Sequence, residues 1–431
     1  MGLMLAGYIM IIGIVVLLIK EKASLPPIFI LIPIAGALLC GFPVSEVCGF
    51  IAEGIRSVTD TALLFLFSIL YFSILGETGV FDVLAHFLLR HMRNNIYLFL
   101  MLTFGMAALI QLDGSGAMTM LIVIPMMLPL YDAMNIRRTS LVCACAVGTG
   151  VMNMFPWCSA MLRISAGTGL EAQMIWREVL PVQTASFLIA VFVIILMGWG
   201  EKRRGAGIDS EEFERLKEEN ARPVSLKVSR LTAGFDVCLT IILILLMLLD
   251  VVTAGVGFMA GVGILLVTNY SSMKKQDEVI KRFSSTAYPL ALTIFSIGVM
   301  LGIMKGMGAI DAMAQSLVGL LPEGWGAYAV FLYGLAGVPV SMVLGSDCCY
   351  SLIAPLLGTI SQHYGGGMMN AAIAVILSSS MAASISFTGP VPYMTVGLAG
   401  ISMNENVKYS FRYLWIMGIL MIVTARMMGI V

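Results

Sequence analysis

The feature that most constrains this chain is a series of apolar runs, each about as long as a bilayer is thick. They cover 3–19, 25–42, 60–76, 180–198, 233–249, 255–270, 286–303 and 410–428. A helix rises 1.5 Å per residue, so roughly 20 residues cross the ~30 Å hydrocarbon core. Charged residues make up 12% of the chain and hydrophobic residues 59%, about half the charge of a soluble domain. The fold class that follows is an all-α polytopic membrane protein, because a helix satisfies its backbone N–H and C=O groups internally. The first run has no basic segment ahead of it and no small-residue cleavage site behind it, so it reads as a retained helix. Net charge is zero, which leaves no electrostatic case for nucleic acid.

Enzymatic chemistry finds no support in the residue pattern. There is no HExxH pair, no nucleophile with a histidine at bilayer depth and no cofactor fingerprint. The eight cysteines are scattered, and the close pairs Cys143/Cys145 and Cys348/Cys349 have the wrong spacing for zinc. They read as small apolar core residues. His86, His91 and His363 fall at expected membrane edges and are not read as ligands. No permanently bound cofactor is expected.

The chain is also written twice. A shift of 229 carries Gly79 and Asp82 onto Gly308 and Asp311, and Gly105 onto Gly334. A shift of 230 carries Pro125 onto Pro355 and Gly167 onto Gly397, and Gly114-Ser115 meets Gly345-Ser346 at 231. The apolar runs coincide in the same way. Each half holds apolar spans, a helix–break–helix segment (95–131 and 326–362) and a long interrupted span (138–168 and 369–400). If each helix–break–helix is a re-entrant hairpin, each half crosses five times. An odd number turns the second half upside down, giving two inverted repeats of five transmembrane helices plus one hairpin each.

Basic residues test this topology. With the N-terminus outside, the cytoplasmic side receives Lys20, Lys22, Arg90, Arg93, Arg137, Arg138, Lys274, Lys275, Lys281, Arg282, Lys408 and Arg412. It also receives the linker's Lys202, Arg203, Arg204, Arg215, Lys217, Arg222, Lys227 and Arg230. The cytoplasm then holds 20 of the 25 lysines and arginines, as the positive-inside rule requires. The expectation is a multi-pass protein of the inner (cytoplasmic) membrane with both termini outside. The linker between 200 and 232 reads as a solvated connector in which Asp209 caps a helix over 211–220. Segments 44–57, 77–92, 272–284 and 306–320 read as interfacial helices. Asp60, Asp236 and Asp250 lie near span ends and are expected to be solvated.

Non-helical backbone survives at membrane depth only inside protein or against a cavity. The helices break in four places that match in pairs. The hairpins break at Leu112-Asp113-Gly114-Ser115-Gly116 and Leu344-Gly345-Ser346-Asp347. The interrupted spans break at Asn153-Met154-Phe155-Pro156-Trp157 and Ser386-Phe387-Thr388-Gly389-Pro390-Val391-Pro392. Two tips facing two unwound turns form a cup of N–H groups and hydroxyls suited to a carboxylate. The substrate-binding candidates are Gly114, Ser115, Gly116, Asn153, Arg163, Gly345, Ser346, Thr388 and Gly389. Asp113 and Asp347 are candidates for the coupling ion or a metal. An ionisable residue costs about 2.5–3.5 kcal/mol at mid-bilayer, which marks it for function; structurally, Asp113 could instead pair with Arg163 or cap its half-helix. Arg163 has Tyr393 as its counterpart at a shift of 230, so the cup is asymmetric in charge.

These breaks carry a resemblance. Leu112-Asp113-Gly114-Ser115-Gly116-Ala117, the stretch from Gly150 to Trp157 and the later Arg163 resemble the citrate–divalent metal/proton symporter family of the ion transporter superfamily. So do Leu344 to Asp347 with Tyr350 and Pro355, and Pro392-Tyr393 leading into Val396-Gly397-Leu398-Ala399-Gly400. The resemblance implies proton-driven uptake of citrate complexed with Mg²⁺ or Ca²⁺, a homodimer, and elevator movement of the hairpin-bearing domain. It divides the chain into a first repeat (1–200), a linker (201–232) and a second repeat (233–431). Scaffold helices are expected at 3–42, 180–198, 233–270 and 410–428, and transport elements at 60–168 and 286–400. Cys158 to Leu162 depart from the family's glycines and proline, which keeps other di- and tricarboxylates open, with or without metal; the coupling ion is a proton or, alternatively, sodium. The rival function is a cation/proton antiporter on the same architecture.

Overall fold

The apolar segments fold as helices, and among the described residues no strand occurs. The computed structural model describes residues 2–19, 24–80, 83, 95–114, 116–207, 226–249, 251–320, 328–387 and 390–431. Seven helices among them are long and apolar enough to cross a membrane. The 211–220 helix with its cap Asp209, most of 77–92, His86, His91, Asp250, Ser115, Thr388 and Gly389 lie outside the described residues.

The first half comprises α1 (Gly2–Ile19), α2 (Leu25–Leu39), α3 (Val44–Glu77), α4 (Ile96–Ile110), α5 (Gly116–Ala133), α6 (Arg138–Met152), α7 (Ser159–Thr168) and α8 (Ala172–Arg203). After the linker come α9 (Arg230–Leu248), α10 (Ala254–Asn269), α11 (Met273–Gly306), α12 (Ala309–Leu320) and α13 (Ala329–Leu344). A helical turn at Ser346–Cys348 and a π-helical stretch at Cys349–Ile353 lead into α14 (Ala354–His363). The chain ends with α15 (Met368–Ala382), α16 (Pro390–Ala399) and α17 (Met403–Met427).

Two 34-residue helices, α3 and α11, cross in close contact. At about 1.5 Å per residue each is roughly 50 Å long, well beyond the hydrocarbon core. Small residues make the approach possible. A Cβ on Gly298 would meet Gly54 O at 2.7 Å, and Gly302 follows one turn later on the same face. Around this crossing, α2 lies on α11 and α10 lies on α3. A second group gathers the broken helices: α4 packs on α6 and α8, and α13 packs on α15 and α17, with α17 against α6 and α8. The short α7 touches both groups, reaching α3, α11 and the π-helical stretch.

Several sequence expectations change. Segments 44–57 and 272–284 are not separate interfacial helices but the first turns of α3 and α11. Neither Gly nor Pro separates 57 from 60, and Pro289 sits within α11 without ending it. The second interrupted span unwinds earlier than expected. α15 stops at Ala382, and the helix resumes at Pro390, so Pro390 and Pro392 lie in the first turn of α16. Proline is tolerated there because the first N–H groups of a helix have no internal partner. Asp236 is not solvated: it is 0% exposed, held where α9 meets α10, with Asn269 Nδ2 donating to its Oδ1 at 3.3 Å. Cys143, Cys145, Cys158, Cys348 and Cys349 are buried, but Cys40, Cys48 and Cys238 are exposed. An exterior facing lipid accepts a small apolar residue as readily as a core does.

Candidate functional site

Each break is built by a local device. At the first hairpin tip a 3₁₀ turn, Gln111–Asp113, ends on Gly114 at φ 78° and ψ 0°. This left-handed conformation suits glycine, and a Cβ there would meet Trp157 O at 3.0 Å. Trp157 faces the tip from the break after α6, and its indole Nε1 donates to Leu112 O at 2.8 Å. The ring is 1% exposed, set among Phe72, Phe155, Trp176 and Phe258. Pro156 thus precedes a residue that ties the unwound turn to the hairpin. Deeper in the same joint, Gln111 Nε2 donates to Asn153 Oδ1 at 3.0 Å, and Thr119 Oγ1 donates to Gln111 Oε1 at 2.8 Å.

The second half uses hydroxyls where the first uses amides. Gly345 takes φ 90° and ψ 136°, turning α13 directly into the next helical turn. Ser346 Oγ donates to Ser379 O at 2.9 Å, and Ser341 Oγ donates to Ser379 Oγ at 2.7 Å. Phe387 N donates to Met342 O at 3.0 Å, fixing the unwound segment after α15 against the hairpin.

The two assemblies meet at one cavity of about 1220 Å³. Of the predicted site residues, Gly114, Gly116, Asn153, Arg163, Gly345, Ser346 and Asp347 line it. Asp113 sits in the 3₁₀ turn one residue before the lining glycine. Helix N-termini open into the cavity at Gly116, Ser159 and Ser346, and Val391 of α16 joins them. No side chain caps α7 or the turn that starts at Ser346, so their first N–H groups and dipole ends favour an anion.

Charge in the cavity is paired across the two halves. The Arg163 guanidinium of α7 forms a salt bridge with the Asp347 carboxylate on the second hairpin tip. Arg163 is 13% exposed and Asp347 38%. The carboxylate found on Arg163 is therefore that of Asp347, not of Asp113. Tyr393, the counterpart of Arg163, also lines the cavity and donates its OH to Phe387 O at 3.2 Å.

Sequence reading missed several polar residues here. Thr149 and Ser384 line the cavity, as do Ser159 and Ser386, which lie in segments assigned to the site without being singled out, and Gln111, 1% exposed, holds Asn153. The available signal was an uncharged polar side chain inside an apolar helix, which must find a partner. For Gln111 that partner lies 42 positions away, and nothing local identifies it.

Comparison with known proteins shows the family of the chain. The family model described as "Citrate transporter" matches residues 9–378. A citrate transporter of Bacillus subtilis (strain 168) is 27% identical over 100% of this chain and 99% of its own length. A Mg(2+)/citrate complex secondary transporter from the same organism is 28% identical, over 99% of this chain and 98% of its own. The chain therefore belongs to the citrate transporter family, and it is a transporter and not an enzyme.

Proposed function

We propose that this protein takes up citrate or a related di- or tricarboxylate, carried as a complex with a divalent cation such as Mg²⁺ or Ca²⁺ and driven by protons. The observation that carries this reading is one cavity collecting two hairpin tips, two helix breaks and the Arg163–Asp347 pair. Arg163 offsets carboxylate charge. Asn153 and Ser346 hold substrate oxygens, with Gly114, Gly116 and Gly345 letting the backbone come close. Ser115, Thr388 and Gly389 belong to the same segments. Asp113 and Asp347 serve the coupling proton or the metal.

The transport cycle we infer is an elevator in two inverted repeats. With α12 set aside, since most of the matching segment 77–92 lies outside the described residues, the order of helices from α9 to α17 follows that from α1 to α8, and the packing of α2 on α11 has its counterpart in α10 on α3. The sequence pattern groups 180–198 and 410–428 with the scaffold. Packing of α8 on α4 and of α17 on α13 and α15 favours assigning both to the moving unit instead. That unit is α4–α8 with α13–α17, and it slides against α1–α3 and α9–α12. The protein sits in the inner membrane with both termini outside, as a homodimer through the static unit.

Uptake of labelled citrate into proteoliposomes, with and without Mg²⁺ or Ca²⁺ and with an imposed pH gradient, tests the function. Citrate accumulation that requires metal and rises with an inward proton gradient is expected. Failure to take up any di- or tricarboxylate under any gradient would overturn it.

A further inference from the structure

The charge in the cavity has a property that bears on which form of the substrate is accepted. Of the described lining residues, Arg163 and Asp347 are the charged ones, and they are joined to each other. The lining is thus close to neutral, apart from the partial positive ends of the helices at Gly116, Ser159 and Ser346. Free citrate near neutral pH is a polyanion of about three charges. Bound to a divalent cation it keeps about one, which helix ends can balance.

The pair itself imposes a second condition. A free carboxylate ligand that captured Arg163 would strand Asp347 in a partly buried site, facing a polyanion. Removing one partner of such a pair leaves an uncompensated charge, the costly outcome. A metal complex avoids this. Its uncoordinated carboxylate can take the Arg163 guanidinium while its cation, directly or through a metal-bound water, takes the Asp347 carboxylate. Each partner then exchanges one opposite charge for another, and neither is left alone.

We propose that the Arg163–Asp347 ion pair is the selectivity element of this cavity: it opens to a ligand that brings both signs of charge and stays closed to a free carboxylate. The pair also links α7 of the first half to the hairpin tip of the second, so the exchange transfers that link onto the ligand. This rests on the carboxylate reading above and adds to it a reason for preferring the metal complex.

The test compares citrate uptake in Mg²⁺ with uptake in excess EDTA, for proteoliposomes of the wild type, Asp347→Asn, Asp347→Glu and Arg163→Gln. The wild type should favour the Mg²⁺ form by about tenfold or more, the ratio that 1.4 kcal/mol would give. Asp347→Asn leaves Arg163 unpaired, so its ratio should fall to about twofold or less, with free citrate gaining relative to the complex. Asp347→Glu keeps the charge and should keep the preference. Arg163→Gln should lose uptake of both forms. An Asp347→Asn protein that retains the wild-type ratio overturns the proposal. Should that variant not be recovered folded, Asp347→Glu decides, and loss of its metal preference overturns the proposal. A wild type that takes up neither form sinks the carboxylate reading itself, a different result from a wild type that discriminates through some other residue.

Discussion

Arg163 is the residue on which the two functional readings separate. A carboxylate transporter needs its guanidinium, whereas an antiporter exchanging cations for protons does not. Arg163→Ala should lower citrate uptake by about ten- to a hundredfold, the loss of a charge-assisted hydrogen bond of ~1.5–3 kcal/mol. Cation/proton exchange that survives in Arg163→Ala and disappears in Asp113→Asn and Asp347→Asn would favour the antiporter. A second residue makes a stability prediction. Asp236 is buried, and its Oδ2 and the Oδ1 of Asn269 both lack a hydrogen-bond partner among the described residues. Asp236→Asn replaces an acceptor by a donor beside an unpaired acceptor. It should be neutral or stabilising by about 1 kcal/mol, read as an unchanged or raised Tm of the purified protein. A clear drop in Tm would show that the carboxylate has a partner of its own. Residue identity was legible for Arg163, because an arginine after a proline break in an apolar helix demands a reason. Its partner was not legible, since Asp347 lies 184 positions away in the other half.

The helix breaks are the elements that make a site out of spans. Gly345 holds a conformation that side chains avoid, and Gly345→Ala should cost about 1–3 kcal/mol of local strain. The expected result is citrate uptake reduced several-fold while the protein still reaches the membrane, checked by uptake normalised to reconstituted protein. Trp157→Phe keeps the ring among its aromatic neighbours but removes the indole donor to Leu112 O. This variant should raise the half-saturating substrate concentration more than it lowers the maximal rate, because the first hairpin tip is loosened and not rebuilt. An effect confined to the maximal rate would argue that the bond governs movement instead of binding. Most breaks were readable locally: Asn153 to Trp157 unwinds where expected, and Gly114 and Gly345 mark the tips. The prolines of the second interrupted span misled by position. They begin a helix there, a role that looks the same in sequence as ending one.

At the scale of the molecule, the α3–α11 crossing and the gathered broken helices define two bodies that the proposed cycle moves past each other. Gly298→Leu would force apart helices whose backbones meet at Gly54, and should destabilise the protein by about 1–3 kcal/mol or more through overpacking, read as lower expression and a lower Tm. Orientation is testable with single cysteines in a background lacking the native ones. Linker positions should react with an impermeant thiol reagent only from the cytoplasmic side, and both termini only from outside. The opposite labelling would overturn the orientation, and termini labelled from the same side as the linker would overturn the inverted arrangement. The sequence by itself determined that this chain is helical and membrane-spanning, because apolar length and the need to pair backbone groups in lipid admit few alternatives. It also marked the breaks and the ionisable residues beside them, since each violates that rule at a cost. Only the tertiary structure decided that Asp347, not Asp113, pairs with Arg163, that Gln111 orients Asn153, and that Asp236 is buried. Those facts depend on which helices lie side by side, and a hydrogen bond or ion pair forms by distance in space, of which spacing along the chain carries no record.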